Sequence, residues 1–249
     1  MSVQYRGTDS AAHRIAPQVK IVCAFLAVCC VVATPREEFA AFGFYLLVLP
    51  AVWAALRIPA RWVVRRSAIE LPFVLLAVLL PFVGSGRRVD VLGVSVSVDG
   101  ALAGWNILAK GTLGVLIALT LAATTPSSEL LLGLRRLRVP TVCTTIAGLM
   151  LRYVEIIVAE ARRMRIARIC RGDNPRFLWQ ASATARGIGM LFLRGYERGE
   201  RVHTAMLARG WTGSMPELGA PGANVRQWLA GLGPALMIAA GLGVALWIE

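Results

Sequence analysis

Five apolar stretches, at residues 21–33, 39–56, 69–83, 101–124 and 228–248, limit what this chain can fold into more than any other feature. Several approach the ~20 residues that a helix needs to cross a bilayer. In lipid, every backbone N–H and C=O must be paired within the protein, which leaves helices or closed barrels. Stretches of this length fit helices. The expectation is an all-α integral membrane protein, with about five transmembrane helices and a cytoplasmic α-helical domain between the fourth and fifth. The domains expected are residues 1–125, 126–221 and 222–249.

Composition agrees. The chain is 57% hydrophobic and only 16% charged, whereas a soluble domain carries about 45–50% apolar and about 25% charged residues. Its formal charge is +13. A basic balance suits nucleic acid, an anionic membrane surface or an acidic partner. Apolar spans with basic loops favour the last two, and no DNA-reading motif or single-strand stacking platform is visible.

The individual stretches carry further signals. The first comes after a polar segment ending at Lys20. Ala33-Thr34-Pro35 is a poor cleavage site, so the stretch reads as a retained first span. Pro72 and Pro81 predict a kinked or re-entrant third span. Between residues 87 and 99, Val94, Val96 and Val98 alternate with Ser95, Ser97 and Asp99, which predicts a short extended hairpin or loop. Lys110, inside the fourth span, is read as snorkelling or pairing within the bundle. Cys23, Cys29, Cys30, Cys143 and Cys170 form no Cys-x-x-Cys pair, so neither a disulfide framework nor a zinc site is expected.

Residues 134–212 hold 15 arginines against five acidic residues, Glu155, Glu160, Asp173, Glu197 and Glu200. By the positive-inside rule this segment is cytoplasmic. Arg57, Arg61, Arg65 and Arg66 agree with that topology; Arg87 and Arg88 run against it. Helices are expected at 129–138, stopped by Pro140; at 141–171, stopped by Gly172, Asp173 and Pro175; and at 177–209, with an interruption near Gly187–Gly189 and a stop at Gly210.

The two long basic helices end alike. Arg163, Ala167, Arg171 and Gly172 superpose on Arg201, Ala205, Arg209 and Gly210 after a shift of 38 residues. Positions i, i+4 and i+8 share one helix face, so each helix presents an arginine, a small residue and a terminal arginine along one stripe. An arginine in the last turn also meets the negative end of the helix dipole, and glycine readily takes the left-handed conformation that stops a helix. Two ordinary caps would need no more than this. The matched pair, with small neighbours Cys170 and Ala208, instead suits helix ends that sit close to a two-fold or pseudo-two-fold partner. There a guanidinium can bond a carboxylate bidentately.

These motifs resemble the two Ala-Arg-Gly-like motifs of the transmembrane T component of energy-coupling factor (ECF) transporters, which move vitamins and transition-metal ions. They map to Cys170-Arg171-Gly172, with Cys for Ala, and Ala208-Arg209-Gly210. His13-Arg14-Ile15-Ala16-Pro17-Gln18-Val19-Lys20 is similar to the family's N-terminal entry, without its Asp. Thr124-Thr125-Pro126, Glu129-Leu130 and Leu137-Arg138-Val139-Pro140 match the end of a span and the short helix after it. The run from Tyr196 through Glu197, Arg198, Glu200, Arg201 and His203 into Ala208-Arg209-Gly210 is the most specific, and is most similar to the cobalt-type (CbiQ) branch. The resemblance covers about residues 10–248. It implies that the helical domain couples two ABC-type ATPase subunits, each accepting one motif arginine in a groove, to a separate substrate-binding membrane subunit. It also implies a bacterial or archaeal cytoplasmic (inner) membrane location. ATP would be held by the partners, and this chain would bind no cofactor or metal.

What the sequence lacks fits that division. No Gly-x4-Gly-Lys-Ser/Thr phosphate loop and no His-Glu-x2-His motif occur. His203 reads as a surface or packing residue. An intramembrane hydrolase or phospho-alcohol transferase would need a convergent nucleophile and base, or clustered aspartates; Asp9, Asp90, Asp99 and Asp173 are scattered. A membrane anchor with a basic lipid-binding domain explains the charge but not the 38-residue repeat. A vitamin system remains the alternative to cobalt or nickel.

Overall fold

The computed structural model describes residues 15–56, 58–84, 88–91, 94–172, 181–213 and 222–248. His13, Arg14, Arg57, Arg87, Asp173, Pro175 and Phe177, which entered the expectations above, lie outside them. Among the described residues the chain is all-α apart from one short hairpin, and it divides into two compact units: residues 2–136 with 221–249, and residues 137–220.

The first unit holds α1 (Pro17–Ala33), α2 (Phe39–Ala55), α3 (Ala60–Arg66), α4 (Leu71–Val83), α5 (Val98–Thr124), α6 (Ser127–Arg136) and α9 (Val225–Ile248). Proline opens α1, where its missing N–H costs nothing and its φ is already helical. Thr34, forced to extended backbone by the following Pro35, ends the helix. Its hydroxyl donates to the Cys30 carbonyl at 2.9 Å and lies 3.1 Å from the fully buried Tyr45 hydroxyl, which ties α1 to α2. Tyr45, Val31, Val63, Leu113, Ile117 and Ile238 belong to one apolar core. Leu47, Phe73, Leu75 and Leu79 point outward, as side chains bathed by lipid should.

The third span is helical over Ala60–Val83 and long and apolar enough to cross a membrane. Its irregularity is a 3-10 turn at Ser67–Glu70, immediately before Pro72 enters the first turn of α4. Pro81 is carried within α4. The expected hairpin is present: β1 (Arg88–Val91) pairs antiparallel with β2 (Val94–Ser97), Val89 opposite Val96. Ser97 then caps α5, its hydroxyl accepting from the Gly100 N–H at 3.2 Å.

Helices α4 and α5 pack at backbone contact. A Cβ on Gly100 would lie 2.5 Å from the Leu80 carbonyl oxygen, and one on Gly104 would lie 2.5 Å from that of Ala77. Small residues that admit such approach are the usual means of joining helices in lipid. Lys110 Nζ donates to the Val32 carbonyl at 2.8 Å, and Lys20 Nζ donates to the Thr124 carbonyl at 3.1 Å. The chain's only lysines thus each meet a carbonyl in the last turn of the other's helix, α1 or α5, where carbonyls lack an intrahelical partner. Helix α6, expected within the basic segment, packs against α1.

The second unit holds α7 (Thr141–Cys170) and α8 (Ala181–Ala208). At ~1.5 Å per residue they are ~45 Å and ~42 Å long. They lie antiparallel: Arg168 Nη1 donates to Thr184 Oγ1 at 3.3 Å near one end, and Val142 and Ile146 share a groove with Val202 and Met206 near the other. The interruption expected at Gly187–Gly189 is absent and α8 runs through; the space over Gly187 is occupied by Met164 and Arg168.

Three helical segments are long and apolar enough to cross a membrane among the described residues: Ala60–Val83, Val98–Thr124 and Thr141–Cys170. The last was expected to be cytoplasmic; its mostly apolar part, Val142 to Val158, holds only Arg152 and Glu155 and precedes the cluster Arg162, Arg163, Arg165 and Arg168. Helices α1 and α2, at 17 residues each, are shorter.

Candidate functional site: two arginine-tipped helix ends

Arg171 and Arg209 occupy equivalent places. Each is the cap residue just beyond the last helical turn, and each precedes a glycine with positive φ, +80° at Gly172 and +78° at Gly210. The same hydrogen bonds close both ends. Arg171 N–H donates to Arg168 O at 3.0 Å and Gly172 N–H to Ile169 O at 3.0 Å; Arg209 N–H donates to Met206 O at 3.0 Å and Gly210 N–H to Leu207 O at 2.9 Å. In α8 the Trp211 N–H also reaches Met206 O at 3.0 Å. That six-to-one bond completes a Schellman motif. Neither glycine has a neighbour within 4 Å of where a Cβ would stand, so backbone conformation, not crowding, requires glycine there.

Each of the ten residues expected at the site is exposed: Arg163, Ala167, Cys170, Arg171 and Gly172 on α7, and Arg201, Ala205, Ala208, Arg209 and Gly210 on α8. Because the helices are antiparallel, the two arginine ends fall at opposite ends of the unit, on the order of 40 Å apart. They form two separate contact points, not one cluster. Within each stripe the small residues leave the helix surface low beside the terminal guanidinium.

The upstream arginines have a second role. Arg163 Nη2 meets Glu160 Oε2 at 2.6 Å, and Arg194 of α8 meets Glu160 Oε1. One carboxylate thus joins the two helices. Arg201 lines a small polar depression with Glu160, Arg194 and Arg198. The Glu160–Arg163 pair is legible as an i, i+3 spacing, but the Glu160–Arg194 pair spans 34 residues and has no sequence signal. The sequence also passes over Trp211. Its ring meets the edge of His203 at 5.7 Å and 83°, which gives His203 a packing role and pins the segment after Gly210. The signal is the Gly-Trp pair after the cap, since an apolar residue at that position commonly folds back on the last turn.

All five cysteines are free. Among the described residues, no three His, Cys, Asp or Glu side chains gather where they could hold a metal ion.

Comparison with known proteins gives a consistent picture. The family model for CbiQ, cobalt transport protein, matches residues 8–218. Cobalt transport protein CbiQ of Rhodobacter capsulatus is 33% identical over 171 residues, 68% of this chain and 67% of that protein. Energy-coupling factor transporter transmembrane protein EcfT of Bacillus selenitireducens is 27% identical over 224 residues, 84% of this chain and 83% of that protein.

Proposed function

Since the chain belongs to the CbiQ family of cobalt transport proteins, we propose that it is the non-catalytic T component of an ECF-type importer. In this reading Arg171 and Arg209 dock into acidic grooves on two ABC-type ATPase subunits. ATP-driven closure of those subunits moves the α7–α8 pair as a lever and shifts a separate substrate-binding membrane subunit. The α7–α8 unit faces the cytoplasm of a bacterial or archaeal inner membrane, consistent with its arginine excess. The cargo is Co²⁺, in line with the name of the family and of its Rhodobacter relative. The observation that carries the reading is the pair of exposed, arginine-tipped helix ends, each closed by the same two hydrogen bonds and a left-handed glycine, at opposite ends of one antiparallel unit.

Removing one partner of a buried charged pair typically costs ~2–5 kcal/mol. Arg171→Ala and Arg209→Ala should therefore each weaken co-purification with the ATPase and slow ATP-dependent Co²⁺ uptake, and the double variant should abolish both. Arg162→Ala, an exposed control on another face of α7, should leave both intact. A double variant that assembles and transports normally would reduce the two motifs to helix caps.

A further inference from the structure

The first unit contains a cavity of about 390 Å³ between α1, α2, α5 and α9, within the ~300–1,000 Å³ range of small-molecule sites. Three of its lining residues, Ala51, Ala55 and Met237, are exposed, so it opens on the outer surface of the unit. That surface is otherwise a field of exposed leucine, valine and phenylalanine, which in a membrane protein is covered by lipid. The walls are apolar and give water few partners, so ordered water is a poor filling.

Among the described residues, one charged side chain lines this cavity, Lys20. Its ammonium uses one donor on the Thr124 carbonyl at 3.1 Å. An ammonium has three donors, and among the described residues this is the one hydrogen bond it makes. The carboxylate acting on it is Glu129 of α6, and the C-terminus of α5 adds a partial negative charge. Both oppose an anion, so the attraction must come from the direct contact with the ammonium, in a site that an acyl chain has already dried.

We propose that this cavity is a binding site for an anionic phospholipid, one acyl chain entering between α1, α2, α5 and α9 and the headgroup phosphate bonding Lys20. Basic pockets between transmembrane helices hold such headgroups elsewhere. The site is independent of ATPase coupling.

The test is native mass spectrometry of the purified full chain in detergent. It is titrated with phosphatidylglycerol, with phosphatidylcholine of the same acyl chains, and with inorganic phosphate as a headgroup-only probe. Phosphatidylglycerol should be retained about tenfold better than phosphatidylcholine, the scale of one charge-assisted hydrogen bond. Phosphate alone should neither bind nor displace it. Lys20→Gln should erase the preference and Lys20→Arg should keep it. Ala55→Phe, which fills the mouth from an exposed position, should lower retention of both lipids without shifting the thermal unfolding midpoint. If Lys20→Gln does not fold, the two-lipid comparison and Ala55→Phe decide. Equal retention of the two lipids by the unaltered chain would overturn the proposal, as would undiminished retention by Ala55→Phe. Displacement by phosphate would make this a free-anion site and overturn it too.

Discussion

Arg171 and Arg209 differ from the other exposed arginines of α7 and α8 in having a left-handed glycine as the next residue. That glycine, at φ near +80°, lets the chain leave the helix at once, so the guanidinium stands at a blunt end and not along a flank. Alanine in its place meets no neighbour but must adopt the left-handed conformation, at a cost of roughly 1–2 kcal/mol. Gly210→Ala should therefore lower the thermal unfolding midpoint of α8 modestly, and weaken ATPase binding more than that loss implies, because the arginine is re-aimed. Circular dichroism melting and co-purification on the same samples separate the effects. This part of the site was legible in the sequence because a glycine cap is a local event. The bond from Arg194 to Glu160 was not, because it depends on the antiparallel placement of two helices whose connection says nothing of their register. The lysines show the same limit. Lys110 is visibly an intramembrane charge, but its acceptor, the Val32 carbonyl 78 residues away, depends on the packing of α1 on α5.

At the scale of elements, the apolar stretches mark the helices well and their limits less well. Helix α9 begins at Val225, ahead of the expected 228. Asn224 accepts from the Val225 N–H at 2.7 Å, and the Gln227 side chain accepts from the Asn224 N–H at 3.4 Å. Asn-x-x-Gln is a capping-box pattern, so the earlier start was readable there. The break before α4 was not, since Pro72 and Pro81 look alike in sequence, and only their places, first turn against interior, distinguish them. The closeness of α4 and α5 gives the sharpest test at this scale. A side chain at residue 104 has no room, because its Cβ would stand 2.5 Å from the Ala77 carbonyl oxygen. Gly104→Val should destabilise the first unit by ~1–3 kcal/mol, the usual range for overpacking, measured by thermal unfolding in detergent. Gly114→Val, on the same helix with open space around it, should cost less. Equal melting of the two variants would contradict the close approach.

As a whole molecule, the chain joins a unit with an apolar exterior to a basic helical unit, which the proposed function places in the cytoplasm. The 30-residue α7, apolar enough at its start to cross a bilayer, is the element whose placement decides the topology. With the arginine excess on the inside, a cysteine at Met190 in a Cys-depleted chain should resist a membrane-impermeant maleimide in intact cells and react once they are opened. The central claim is that two helix ends hold two ATPase subunits. Cys170 is an exposed natural thiol beside Arg171, and Ala208→Cys places its equivalent beside Arg209, so both arginines stay in place. In the assembled transporter, with the other cysteines of this chain replaced, a short thiol crosslinker to cysteines at the ATPase groove should join each position to an ATPase subunit. The chain carrying both thiols should give a product of one copy of this chain with two ATPase subunits. No adduct at either position, or both positions captured by a single ATPase subunit, would contradict the account.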